Sequence, residues 1–216
     1  MIKPFRGKRE GGENLIAIID YGVGNLFSLA CSFRSIGAET EITRDPARIE
    51  AAERIILPGV GAFGDAMDKL TATGLIPVLK REAERKPFLG ICLGMQLLFD
   101  ESEEYGPHKG LGLIPGRVCD LRADLSDKSL KVPHMGWNAL ELRDDPIFRH
   151  IRNGEYVYYV HSFYAKDCAE HTIGVSQYGN VSVTGAVRRG LVYGTQFHPE
   201  KSGDTGLRIL RAFVEL

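Results

Sequence analysis

The residues able to do chemistry in this chain are Cys92, His198 and Glu200. Cys92 stands in PFLGICLGMQLLF, Pro87 to Phe99, with Gly90 and Gly94 two residues away on either side. Phe88, Leu89 and Ile91 read as a short buried strand that stops at Cys92, and Leu93, Gln96 and Leu97 then open a helical spacing. The pattern is G-x-C-x-G, the cysteine form of the nucleophile elbow. A nucleophile at the tip of such a turn sits in a strained backbone, and neighbours without Cβ atoms let strand and helix pass closely. The helix start favours a thiolate. The Leu93 N–H, outside the intrahelical ladder, can serve an oxyanion. By itself the motif fits a buried cysteine of an α/β sheet equally well.

The second half of the pattern separates those readings. TQFHPEKS, Thr195 to Ser202, places His198 and Glu200 on either side of Pro199 at the end of the last predicted strand. Proline fixes its own backbone and biases His198 towards an extended conformation. A histidine oriented by a carboxylate is what a cysteine nucleophile requires: the imidazole takes the thiol proton and returns it to a leaving group. Alone, H-P-E fits an ordinary loop. With the elbow and the glycine-rich turn PGVGAF, Pro58 to Phe63, it points to acyl transfer at a thiol.

The elements that must position these groups follow from periodicity. LIAIID, Leu15 to Asp20, reads as a buried strand, and YGVGN after it as a tight turn, since the third glycine of a dinucleotide fingerprint would fall at Phe27. A helix from Asn25 carries Leu26, Leu29, Ala30, Phe33 and Ile36 on one face and stops at Gly37. A strand near Glu39 to Thr43, a helix from Pro46 to Ala52, a strand from Arg54 to Leu57 and two helices over Gly64 to Arg85 follow, with Thr73 as an expected N-cap. PGVGAF can aim backbone N–H groups into a pocket, but it lacks the Lys-Ser/Thr of a P-loop. Alternating strands and helices predict a flavodoxin-like α/β fold: a central, mostly parallel sheet with helices on both faces and ligands beyond the strands' carboxyl ends. After Glu104 short β-rich runs dominate, expected as antiparallel strands extending that sheet in the C-terminal half. A final helix is expected from Thr205 to Val214.

Composition narrows the function classes. The 216 residues are 44% hydrophobic and 25% charged, enough for one α/β domain, and a net charge of -1 gives no electrostatic case for nucleic acid. The longest apolar run is too short and glycine-interrupted to span a bilayer. The four cysteines form no C-x-x-C pair and no zinc spacing, so no metal and no cofactor are expected, and free thiols in a cytoplasmic setting are the natural reading. Residues 1–13 are basic and glycine-rich, without the apolar core of a signal peptide, and read as a mobile extension to a domain spanning 14–216. His108, His150 and His171 are expected at the surface, while His134 and His161, in the β-rich half, are expected to line a face or satisfy core hydrogen bonds, with no chemistry assigned.

From about Leu15 onward the chain resembles class I glutamine amidotransferases, through DYGVGNL, PGVGAFG, GICLGMQLLF, PHMGWN and FHPEKS. GICLGMQ and HPE are shared across that class. PGVG and PHMGWN narrow the resemblance to the glutaminase subunits of imidazole glycerol phosphate synthase, in histidine biosynthesis. The resemblance implies a Cys92–His198–Glu200 triad and oxyanion donors at the Val60 and Leu93 amides. It implies glutamine contacts at Gly61, Gln96, Ser162 and Phe163. It also implies a heterodimer with a cyclase subunit, a (β/α)8 barrel, with Asn25, Trp137, Asn138, Tyr158 and Lys201 at or near the interface. Rival readings are a glutaminase subunit serving pyridoxal phosphate, aminobenzoate or purine synthesis, a cysteine peptidase or redox-stress protein on a similar sheet, and a catalytically silent scaffold.

Overall fold

The computed structural model describes residues 15–216. The expected N-terminal extension lies outside the described residues. The first half alternates as its sequence implies: β1 (Ile16–Ile19), α1 (Leu26–Ser35), β2 (Thr40–Thr43), α2 (Pro46–Ala51), β3 (Arg54–Leu57), α3 (Phe63–Ala72), α4 (Ile76–Ala83), β4 (Phe88–Ile91) and α5 (Leu93–Gln96). The second half carries β5 (Glu101–Ser102), β6 (His108–Lys109), β7 (Arg117–Asp120), α6 (Leu121–Asp124), β8 (His134–Ala139), β9 (Glu141–Leu142), β10 (Tyr156–His161), β11 (Phe163–Lys166), β12 (Thr172–Tyr178), β13 (Val181–Arg189), β14 (Val192–Thr195) and α7 (Gly203–Val214).

The central sheet has eight strands in the order β2-β1-β3-β4-β14-β13-β12-β9. β2, β1, β3, β4 and β14 run parallel, and β13, β12 and β9 continue it antiparallel. β1 is buried throughout because each face of the sheet is covered. Ala17 and Ile19 pack with α2, α3 and α4 through Ile49, Leu70 and Leu79. Ile16 and Ile18 pack with α1 and α7 through Phe33, Ile209 and Phe213.

Three sequence expectations need correction. The C-terminal strands do not all extend the central sheet: β8 and β10 form a separate two-stranded ribbon, and β11, β7, β5 and β6 a separate four-stranded sheet. The helix after Cys92 is a single turn. The apolar spacing continues to Phe99, but the Leu97 and Leu98 carbonyls are taken by the amides of Leu111 and Leu113, each at 2.8 Å, so the ladder cannot propagate. Thr73 closes α3, and its hydroxyl accepts the Leu75 N–H at 3.2 Å just ahead of α4.

Candidate active site

The site lies beyond the carboxyl ends of β3, β4 and β14, which are adjacent and parallel in the sheet. Cys92 leaves β4 at φ 54° and ψ −112°, a left-handed conformation for a residue with a Cβ. Its amide donates to the Thr195 carbonyl at 2.7 Å, tying the elbow to β14. The flanking glycines are there because nothing larger fits. A Cβ on Gly94 would lie 1.9 Å from the Leu57 carbonyl oxygen, and one on Gly90 would lie 2.6 Å from that of Gly94.

β14 leads to His198. His198 is buried three residues past its end, its amide donates to the Tyr158 carbonyl at 2.9 Å, and its Nδ1 lies 2.7 Å from Glu200 Oε1. Glu200 is almost fully buried, and its Oε2 has no protein partner. Burial acts against the imidazolium, but hydrogen bonds to Cys92 and Glu200 and their charges overcome it, raising His198 to about 9. This arrangement can hold a proton beside sulfur and return it to a departing amine.

Cys92, His198, Leu93, Val60, Gly61, Gln96, Ser162, Phe163 and Lys201 all line one cavity of about 330 Å³. Val60 is 45% exposed, and Gly61 follows at φ 96°. The root of this loop is held: the Tyr21 hydroxyl donates to the Pro58 carbonyl at 2.7 Å, and a Cβ on Gly59 would meet the Gly94 nitrogen at 2.7 Å. Gln96 has both amide hydrogens committed to protein, one to the Phe163 carbonyl at 2.9 Å and one to Gln196 Oε1 at 3.0 Å. Only its carbonyl oxygen is left for a ligand.

Sequence reasoning missed three residues here. Gln196 is fully buried and its Nε2 lies 3.8 Å from Cys92 Sγ. The two-residue strand period linking it to His198 was the signal available. Glu104 and His161 line the cavity too, with no local motif to announce them.

The residues expected at or near a partner face differ in their local contacts. Trp137 is 55% exposed on β8 and packs edge-on against Tyr158 of β10, ring centres 6.0 Å apart, and Lys201 is exposed at the cavity mouth. Met135 and Tyr156 are exposed on the same ribbon. Asn25 caps α1, accepting the Ser28 N–H at 3.2 Å, and the Asn138 amide reaches His134 and the Gln177 carbonyl.

Comparison with known proteins identifies the family. The family profile described as "Glutamine amidotransferase class-I" matches residues 17–216. The chain is 49% identical over 207 residues to "Imidazole glycerol phosphate synthase subunit HisH" of Syntrophotalea carbinolica, covering 94% of this chain and 100% of that one. It is 50% identical over 202 residues to the protein of the same name from Bacillus cereus, covering 92% and 93%. The chain belongs to the class I glutamine amidotransferases, in the HisH subunit family of imidazole glycerol phosphate synthase. As a member it is a glutaminase subunit. The structure titled "Structure of PurLQS from Thermotoga maritima" shares the fold, with a TM-score of 0.71 at 20% identity over 93% of this chain and 97% of that one. Among the described residues no helix is long and apolar enough to cross a membrane, and no His, Cys, Asp and Glu group is placed to hold a metal ion.

Proposed function

We propose that this chain hydrolyses glutamine through Cys92 and passes the ammonia to a cyclase subunit. The observation that carries the reading is the left-handed Cys92 elbow sharing one cavity with the buried His198–Glu200 pair. Cys92 attacks the side-chain amide carbon. His198 protonates the departing ammonia, leaving a glutamyl thioester. Water deprotonated by the same imidazole then releases glutamate. The Leu93 and Val60 amides hold the oxyanion. Gly61, Ser162 and Phe163 shape the pocket, Gln96 offers its carbonyl, and Glu104 is the lining carboxylate suited to the substrate ammonium.

The acceptor is a (β/α)8-barrel cyclase docked as a heterodimer on the Trp137–Tyr158–Lys201 side of the cavity, in the cytoplasm. There ammonia joins the phosphoribosyl-formimino intermediate PRFAR, giving imidazole glycerol phosphate and AICAR. Support comes from the exposed aromatic ribbon beside the cavity mouth and from the name of the relatives. Among class I glutaminases, a role in pyridoxal phosphate, aminobenzoate or purine synthesis has less support, because the likeness to PurLQS extends to fold alone.

The experiment mixes the purified chain with cyclase subunits, glutamine and PRFAR, and follows glutamate and AICAR together. The expected result is coupled formation of both. Glutamate release unaffected by a cyclase, or AICAR formation from glutamine that survives Cys92→Ser, overturns the reading.

A further inference from the structure

Two buried histidines sit at one end of the aromatic ribbon, against the cavity wall, and the reaction proposed above uses neither. His134 opens β8 and His161 ends β10, directly opposed in the ribbon's register. His134 is stacked between Tyr159 and Tyr178, with ring centres at 4.7 and 4.2 Å.

Their hydrogen bonds admit one direction. His161 Nδ1 is 2.9 Å from the Phe163 carbonyl oxygen, which can only accept, so this nitrogen carries the hydrogen. In the neutral ring Nε2 then accepts. Its partner is His134 Nδ1 at 3.0 Å, which must therefore be the donor. His134 Nε2 accepts in turn from Asn138 Nδ2 at 3.3 Å. Asn138 is fixed by its second amide hydrogen on the Gln177 carbonyl, and its oxygen accepts the Ala139 N–H, both at 2.8 Å. The neutral state is set by the surroundings. Burial lowers His134 to about 4, and burial with the nearby His134 and His198 lowers His161 to about 3. Tyr159, stacked on His134, is itself raised by burial and supplies no charge there.

We propose that His134 and His161 are positioning residues, a fixed-tautomer relay running from Asn138, beside Trp137 on β8, to the Phe163 carbonyl in the cavity wall. The inference rests on the reading of that cavity as the glutamine site. The Phe163 carbonyl carries two donors, His161 Nδ1 and Gln96 Nε2, and these fix the peptide plane between Phe163 and Tyr164, at a residue that lines the cavity. The longest link, Asn138 to His134, is the one nearest the exposed tryptophan.

The test has two arms on the full chain. Imidazole nitrogen NMR of the free protein between pH 5 and 8 should show both rings neutral, with hydrogen on Nδ1. An Nε2–H tautomer in either ring, or titration of either within this range, overturns the relay whether or not the chain is a glutaminase. In the second arm, glutaminase kinetics are measured with the cyclase subunit and its ligand present. His161→Leu removes the Phe163 contact and should raise KM for glutamine about tenfold or more while kcat changes far less. His161→Asn, whose amide can reproduce the Nδ1 donor, should recover most of that loss. Unchanged KM in a folded His161→Leu, or no recovery in His161→Asn, also overturns it. If His161→Leu does not fold, the tautomers of the unaltered protein decide.

Discussion

Glu104 Oε2 accepts the amide hydrogen of Phe63 at 2.7 Å, across 41 residues of sequence. Phe63 is the first residue of α3 and follows directly on PGVGA, so the carboxylate facing the cavity also anchors the far end of the loop bearing Val60. Burial raises the Glu104 carboxyl above its usual range, against the Phe63 amide and nearby His108, which favour ionisation.

If Glu104 receives the substrate ammonium, Glu104→Gln removes a charged hydrogen bond of about 1.5–3 kcal/mol. KM for glutamine should rise roughly 10- to 100-fold, with a smaller change in kcat. Steady-state kinetics of the complex check this, and an unchanged KM removes Glu104 from substrate recognition.

The triad assignment predicts an order of damage. Cys92→Ser should abolish glutamine hydrolysis with the fold intact, because a hydroxyl lacks the nucleophilicity of sulfur in this setting. Glu200→Gln should be milder than His198→Ala, by about 10²-fold on the precedent of protease triads, since the carboxylate orients the base without transferring the proton itself. Turnover of the three variants, with circular dichroism for folding, is the measurement. Equal loss for Glu200→Gln and His198→Ala would give the carboxylate a direct chemical role.

Stability should depend on pH in two directions. His198 is raised from 6.5 to about 9, so its contribution is complete below pH 6.5 and is lost as pH rises through 9. His134 and His161 are lowered from 6.5 to about 4 and about 3, so theirs is present above pH 6.5 and lost as pH falls through those values. Urea midpoints between pH 4 and 9.5 should therefore fall at both ends. The alkaline fall should be shallower in Glu200→Gln, which removes one cause of the raised value. An alkaline limb identical in that variant contradicts the assignment.

Control should act through Val60. Tyr21 and Glu104 hold the loop on either side, leaving Val60 and Gly61 between the two anchors. A resting loop that withholds the Val60 N–H costs about 10²–10³ in rate. The free chain is therefore expected to hydrolyse glutamine slowly and to be switched on by the ligand-bound cyclase. Trp137→Ala and Lys201→Ala should weaken binding or activation while sparing alkylation of Cys92. Glutamine turnover by the free chain as fast as that of the full complex contradicts this control.

The sequence by itself determined what is local. Gly90 and Gly94 around Cys92 specify the elbow, because the strand and helix it joins leave no room for a Cβ. Pro199 between His198 and Glu200 sets the imidazole–carboxylate pair, and the alternation of β1 to β4 with helices sets the parallel half of the sheet. Tertiary structure decided what depends on pairing between distant segments. β14 returns to lie parallel beside β4, with Thr195 opposite Ile91, and only that register brings His198 to Cys92. The β-rich second half divides among three sheets because strand partners are chosen by long-range packing, which a two-residue alternation does not encode. Gln196, Glu104 and the His134–His161 pair stayed silent for the same reason: each acquires its partner across 27 or more residues, at contacts that exist only in the folded chain.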